Sequence, residues 1–194
     1  MNGRTLEVSA DTAIARTREW VEKAVIGLNL CPFAAPVHLS GRVRFSASAA
    51  RTEDDLVGDL AREISALMAA DAQRVETTLL IHPHVLNDFL DYNDFLDIAD
   101  ATVEALGFEG ELQVASFHPD YRFAGTTDTD IENYTNRSPY PTLHLLREES
   151  IERAVAAVPD TDAIFEKNIE TLRRLGLAGW QKLWTGSGEP DAGK

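Results

Sequence analysis

Seven residues near the middle of the chain, Val75-Glu76-Thr77-Thr78-Leu79-Leu80-Ile81, constrain the fold more than any other stretch. The run is short, β-branched and leucine-rich, which is the signature of a well-buried strand. Helical stripes lie on both sides of it in sequence. Before it, Leu56, Val57, Leu60, Ile64, Leu67 and Met68 recur at helical spacing behind Thr52 and Asp55, which resemble a capping box. After it, Val85, Tyr92, Leu96, Ala99, Val103 and Leu106 define the buried arc of a long helix stopped by Gly107. A buried strand between two amphipathic helices demands a layered α/β domain.

The neighbouring segments extend the pattern. An N-terminal helix is expected from about Asp11 to Leu30, ended by Cys31-Pro32, with a loop through Pro36 and Gly41 after it. Arg42 to Ser48 alternates as a half-buried strand does, Glu111 to Phe117 reads as a third strand and Thr142 to Leu146 as a fourth. Ser150–Val158 and Thr161–Leu175 are predicted helices, separated by Pro159-Asp160 and closed by Gly176. Leu177, Trp180, Leu183 and Trp184 form a short amphipathic patch expected to dock back on the domain. The fold class predicted is α/β. It has a mixed sheet of about four strands, in the order strand–helix–strand–helix–strand–strand, with an N-terminal helix and two C-terminal helices packed on it. Strand–helix–strand units imply parallel neighbours, and the last strand is expected to return antiparallel. Residues 1–184 are expected to form one domain and 185–194 a disordered tail.

Composition narrows the function classes. The chain has 194 residues and a formal net charge of −14, which disfavours a nucleic-acid backbone or an anionic membrane as partner. No apolar run is long enough for a membrane span, and the single cysteine, Cys31, excludes an intrachain disulfide framework, as expected in the cytoplasm. Cys31 follows a helix C-terminus, where the dipole raises a thiol pKa, so an inert buried thiol is expected.

Open α/β sheets bind ligands beyond the carboxyl ends of their parallel strands. That edge collects Ser46 and Ser48 after the first strand, His82 and His84 after the second, and His118, Asp120 and Tyr121 after the third. An antiparallel fourth strand adds Asn136, Arg137, Ser138 and Tyr140, and Arg122 lies on the 23-residue connection between the last two strands. Connections of that length in a compact domain are usually functional. His118 with Asp120 is the candidate acid–base pair, and Arg137 is the planar fork for a carboxylate or phosphate, with Arg122, Tyr121, Asn136, Ser138, Tyr140 and His82 as binding partners. The alternative is a metal site on His82, His84 and His118, although Pro83 disturbs its geometry and no H-E-x-x-H or paired C-x-x-C motif is present. His144, between Leu143 and Leu145, reads as a hydrogen-bonded core histidine. The series Asp88, Asp91, Asp94, Asp97 and Asp100 spirals around its helix rather than sharing a face. Asp88 alone falls in the apolar arc, as a first-turn carboxylate or a site residue.

Four stretches carry a family resemblance: Gly27-Leu28-Asn29-Leu30-Cys31-Pro32-Phe33, Asp91-Tyr92-Asn93-Asp94-Phe95-Leu96, Ser116-Phe117-His118-Pro119-Asp120-Tyr121-Arg122-Phe123-Ala124-Gly125, and Glu132-Asn133-Tyr134-Thr135-Asn136-Arg137-Ser138-Pro139-Tyr140-Pro141 running into Leu143-His144-Leu145-Leu146-Arg147. From about Trp20 to Leu175 the chain resembles the uncharacterised bacterial family numbered 1415 among the domains of unknown function. The resemblance implies a bacterial cytoplasmic protein and transfers no catalytic residue. Three readings follow from the residues: an enzyme acting on a small anionic metabolite, a ligand- or metal-binding module without turnover, and an interaction protein that uses the long loop and the Trp180/Trp184 patch. The sequence names no cofactor and no oligomeric state.

Overall fold

A computed structural model describes residues 7–156 and 162–185. Four strands form one mixed sheet in the order β1-β2-β4-β3: β1 (Val43–Ala47), β2 (Thr77–Ile81), β3 (Leu112–Phe117) and β4 (Thr142–Arg147). β1 and β2 run parallel, and β4 is antiparallel to both β2 and β3. The expected α/β class and the antiparallel return of the last strand are therefore present. One detail differs. β2 and β3 run the same way but are not neighbours, because β4 inserts between them. Thr142, the first residue of β4, pairs with Ile81 on one side and Phe117 on the other.

One face of the sheet carries α3 (Glu53–Ala69) and α4 (Phe89–Ala105). Thr52 caps α3 by accepting from the Asp55 N–H at 3.2 Å while its hydroxyl donates to the Asp55 carboxylate at 2.8 Å. Leu56, Leu60, Ile64 and Leu67 then fall on one stripe and are wholly buried. In α4 the buried residues are Tyr92, Phe95, Ala99 and Val103. Phe95 is buried although the expected arc omits it, and Leu106, which the arc includes, is 38% exposed. Asp88 is not part of the apolar face. It is exposed, and its carboxylate caps the helix by accepting from the Leu90 and Asp91 N–H groups. Gly107, at φ 80°, follows the last turn in the left-handed conformation that closes many helices.

The other face is covered by α1 (Ala10–Trp20), α2 (Ala34–Leu39), α5 (Glu148–Ala156) and α6 (Asp162–Lys182). The expected single helix from Asp11 to Leu30 is shorter and changes form: α1 passes into a π-helical segment, Val21–Ile26, whose bonds span five residues, as from the Gly27 N–H to Glu22 O. The stretch expected as loop around Pro36 is helical, as α2. Gly176 does stop the first part of α6, at φ 63° and ψ 172°, after which a short helical piece brings Trp180 into the core at 8% exposure. Thr185 still closes a turn on Lys182. The expected tail beyond it and the break at Pro159-Asp160 lie outside the described residues. Among the described residues no helix is long and apolar enough to cross a membrane.

The inserted strand is held at its start by one side chain. The buried Tyr92 hydroxyl donates to Thr142 O at 2.9 Å and accepts from the Phe117 N–H at 3.1 Å. Removing that hydroxyl leaves both backbone groups without it in a dry interior. Tyr92→Phe is expected to lower stability by about 1–3 kcal/mol, read from urea unfolding midpoints. An unchanged midpoint would show that the bridge contributes nothing to the placement of β4.

Candidate functional site

With β1, β2 and β3 running one way, Ser48, His82 and His118 fall at the same edge of the sheet, and Thr142 starts there. The polar residues of this edge are mostly engaged with the backbone. His82 is fully buried, stacks on Tyr92 with centroids 5.8 Å apart, and donates from Nδ1 to Val85 O at 3.0 Å. Its Nε2 is buried without a hydrogen-bond partner among the described residues. His118 is also fully buried and uses both ring nitrogens: Nδ1 accepts from the Asp120 N–H at 3.0 Å, which places the proton on Nε2, and Nε2 donates to Leu86 O at 3.2 Å. Together the two imidazoles staple the 82–88 connection. Within it Leu86 has φ 58°, a conformation that a bulky residue keeps only when its surroundings impose it.

The remaining predicted residues divide in the same way. Ser46 and Ser48 donate to Glu63 and Asp59 on α3. His84 donates to Val8 O at 3.1 Å. Tyr121 packs its ring between Phe89 and Phe123. Asn136 donates to Ser116 O, and the Ser138 hydroxyl donates to Tyr140 O at 2.6 Å. Burial pushes the Tyr140 phenol upward, and the nearby Arg16 partly offsets this. Arg122 is exposed and stands apart from the cleft described below. Among the described residues no three His, Cys, Asp or Glu side chains are grouped to hold a metal ion, so His82, His84 and His118 do not converge as the alternative metal site required.

Arg137 is the pivot of the long β3–β4 loop. Its Nε donates to Tyr121 O at 3.2 Å, one terminal nitrogen donates to Asp128 O at 2.7 Å, and the guanidinium lies 4.4 Å above the Tyr134 ring. Tyr134 belongs to a short 3-10 turn, Ile131–Thr135, and meets Trp180 edge-on at 5.1 Å; Trp180 meets Trp184 at 5.6 Å. This aromatic row forms one wall of a cleft of about 820 Å³. Asp120, Arg137 and Ser138 line it from the loop, Arg16 and Trp20 line it from α1, and Trp180 and Trp184 close it. All three tryptophans of the chain therefore meet here. Arg16 is exposed and makes no hydrogen bond or ion pair with any described residue. The carboxylate that α1 adds to the cleft, Glu19, pairs with Lys23 at 2.7 Å.

Strand ends alone do not reveal Arg16 and Trp20. They sit four residues apart on one face of the N-terminal helix, and only the packing of α1 near the edge brings them to Asp120 and Arg137.

A family described only as a protein of unknown function, DUF1415, matches residues 12–182. The chain belongs to that family. No curated protein and no solved structure matches it. The DUF1415 match spans both walls of the cleft apart from Trp184, α1 at one end and Trp180 at the other.

Burial holds His82 and His144 neutral, each pushed down to about 4 from an ordinary 6.5, and lowers His118 as well. The unfolded chain therefore takes up protons below about pH 6.5 that the folded chain refuses until about pH 4. Stability should be flat above neutrality and fall between those values, by roughly 1.4 kcal/mol per pH unit for each buried imidazole once well below 6.5. Urea midpoints compared at pH 7.5 and pH 5, with His82→Phe and His144→Phe as controls, measure this. A wild-type midpoint that does not move would mean these imidazoles are solvated.

Proposed function

We propose that this protein binds a small anionic molecule with a planar or apolar part in the cleft between α1, the β3–β4 loop and the C-terminal tryptophans. The observation that carries this reading is Arg16: a guanidinium with no hydrogen-bond or ion-pair partner among the described residues, in a cleft walled by three indoles. A concave site of hundreds of Å³ in which flat aromatic walls alternate with a few placed polar groups is suited to a small molecule. Arg16 supplies the charge, the indole and phenol rings supply the flat surface, and Arg137 shapes the loop wall while adding positive potential.

Binding is favoured over acid–base catalysis by the state of His118. A general base must turn a free lone pair toward its substrate. The Nδ1 lone pair of His118 accepts a backbone N–H, its Nε2–H is held by Leu86 O, and the ring is not part of the cleft lining. Asp120 does line the cleft and is exposed, where it can meet a hydroxyl or ammonium on the ligand. The interaction-protein reading draws little from the tryptophans, because Trp180 is 8% exposed and packed against Tyr134.

The roles of the two arginines are separable. Arg16→Ala removes an exposed side chain and is expected to shift stability by less than about 0.5 kcal/mol. Arg137→Lys keeps the charge but loses the fork that spans Tyr121 O and Asp128 O, and is expected to cost about 1–3 kcal/mol. Naphthoate, a planar carboxylate, should quench or shift the tryptophan emission saturably, and its methyl ester, which has neither the charge nor a hydrogen-bond donor, should do so more weakly. Arg16→Ala should erase the preference for the anion. If wild type shows no preference, or Arg16→Ala retains it, the anionic-ligand reading fails.

A further inference from the structure

A second cavity, of about 570 Å³, lies on the α1 side of the sheet, away from the aromatic row. Its walls are apolar: Val25 from the π segment, Val37 from α2, Leu79, Phe117 and Leu146 from the sheet, and Ile151 from α5. The charges at its rim are already paired. Glu76 forms ion pairs with both Arg42 and Arg153, and Arg153 also bonds Glu149 at 2.5 Å. Among the described residues no uncommitted cation lines it to hold an anionic head group.

One polar group on the sheet floor is different. The Thr77 hydroxyl donates to Leu145 O at 2.6 Å, so its lone pair accepts from Nε2–H of His144 at 2.7 Å. That places the His144 proton on Nε2 and leaves Nδ1 as a bare acceptor with no partner among the described residues. His144 lines the cavity, with its ring 6.0 Å from Phe117. Burial keeps the imidazole neutral near pH 7, so Nδ1 offers a lone pair and not a charge. Cys31 also lines the cavity, and burial raises its thiol, which argues for a spectator rather than a nucleophile.

We propose that this cavity is a second ligand site, for a neutral apolar molecule carrying one hydrogen-bond donor, which it gives to Nδ1 of His144. The volume suits a ligand of two or three fused or linked rings or a medium-length chain. The site is independent of the anionic cleft. The π segment belongs to its construction: a widened turn sets Val21 and Val25 against the sheet while Trp20, just before it, lines both cavities.

The test uses full-length protein and N-phenylnaphthylamine, a neutral fluorophore with one N–H, alongside its N-methyl analogue, which lacks the donor. Wild type is expected to bind the N–H probe saturably and about three- to tenfold more tightly than the methylated one, the usual effect of one neutral hydrogen bond. His144→Phe should bind both probes equally, a readout that a merely structural change would not single out. Ala115→Phe and Ala154→Phe, which fill the cavity from β3 and α5, should lose both probes with the far-UV circular dichroism unchanged, whereas Trp184→Ala in the other cleft should bind both as wild type does. Absence of saturable binding by wild type would overturn the proposal. So would binding that survives both filling substitutions, binding lost in Trp184→Ala, or an N–H preference that persists in His144→Phe.

Discussion

The Tyr92 hydroxyl bridges Phe117 N and Thr142 O, and the order of the sheet depends on that place. β2 and β3 each follow a helical crossover and run the same way, yet a third strand separates them. Thr142 must therefore enter the sheet between two strand ends that already carry buried imidazoles. Tyr92, projecting from α4 beneath the edge, stacks on His82 and lies 5.0 Å from His118 while its hydroxyl serves the two backbones. The histidines in turn hold the connection that leads into α4, through Val85 O and Leu86 O. Strand insertion, helix start and edge loop are thus one polar network in a dry setting, where each missing partner leaves an unsatisfied group.

That network accounts for the large share of edge residues with no free chemistry. A long loop lying on a sheet edge brings carbonyls and N–H groups that need partners, and side chains supply them. Arg137 serves Tyr121 and Asp128, Asn136 serves Ser116, and Ser138 serves Tyr140. A polar residue in a long loop is therefore as often a scaffold element as a ligand contact. What separates the two is whether its donors and acceptors are already matched. Arg16 and His144 Nδ1 meet that criterion in the two cavities, one as a charge and one as an acceptor.

Both cavities share a common origin. The face of the sheet that bears α3 and α4 is closed by two full-length helices whose stripes interlock with it. The opposite face is covered by more and mostly shorter pieces: α1 and its π extension, α2, α5 and an α6 broken at Gly176. Short elements meeting at angles cannot fill a flat sheet surface as evenly as two long ones, and the gaps between them become pockets.

The sequence by itself determined the four strands, the two long helices and the class of fold, though not α2 or the π segment. Hydrophobic period and capping chemistry are local, so Thr52 with Asp55, the buried run at β2, and Gly107 and Gly176 as stops could be read directly. The shared edge of His82 and His118 followed from chain order, because crossovers keep strand direction. Local pattern carries no record of which strand lies beside which, so the insertion of β4 was decided only by tertiary packing. Asp88 was a local matter: periodicity set it in the apolar arc, and of its two readings the first-turn carboxylate is the one that its bonds from the Leu90 and Asp91 N–H groups bear out. Phe95 is buried although the expected arc left it out, and Leu106, the last residue of that arc, is 38% exposed where the helix ends. The cleft needed three segments distant in the chain, α1, the β3–β4 loop and Trp180 with Trp184. No period or motif links residues so far apart in sequence. Their meeting depends on the surfaces that the folded elements leave uncovered.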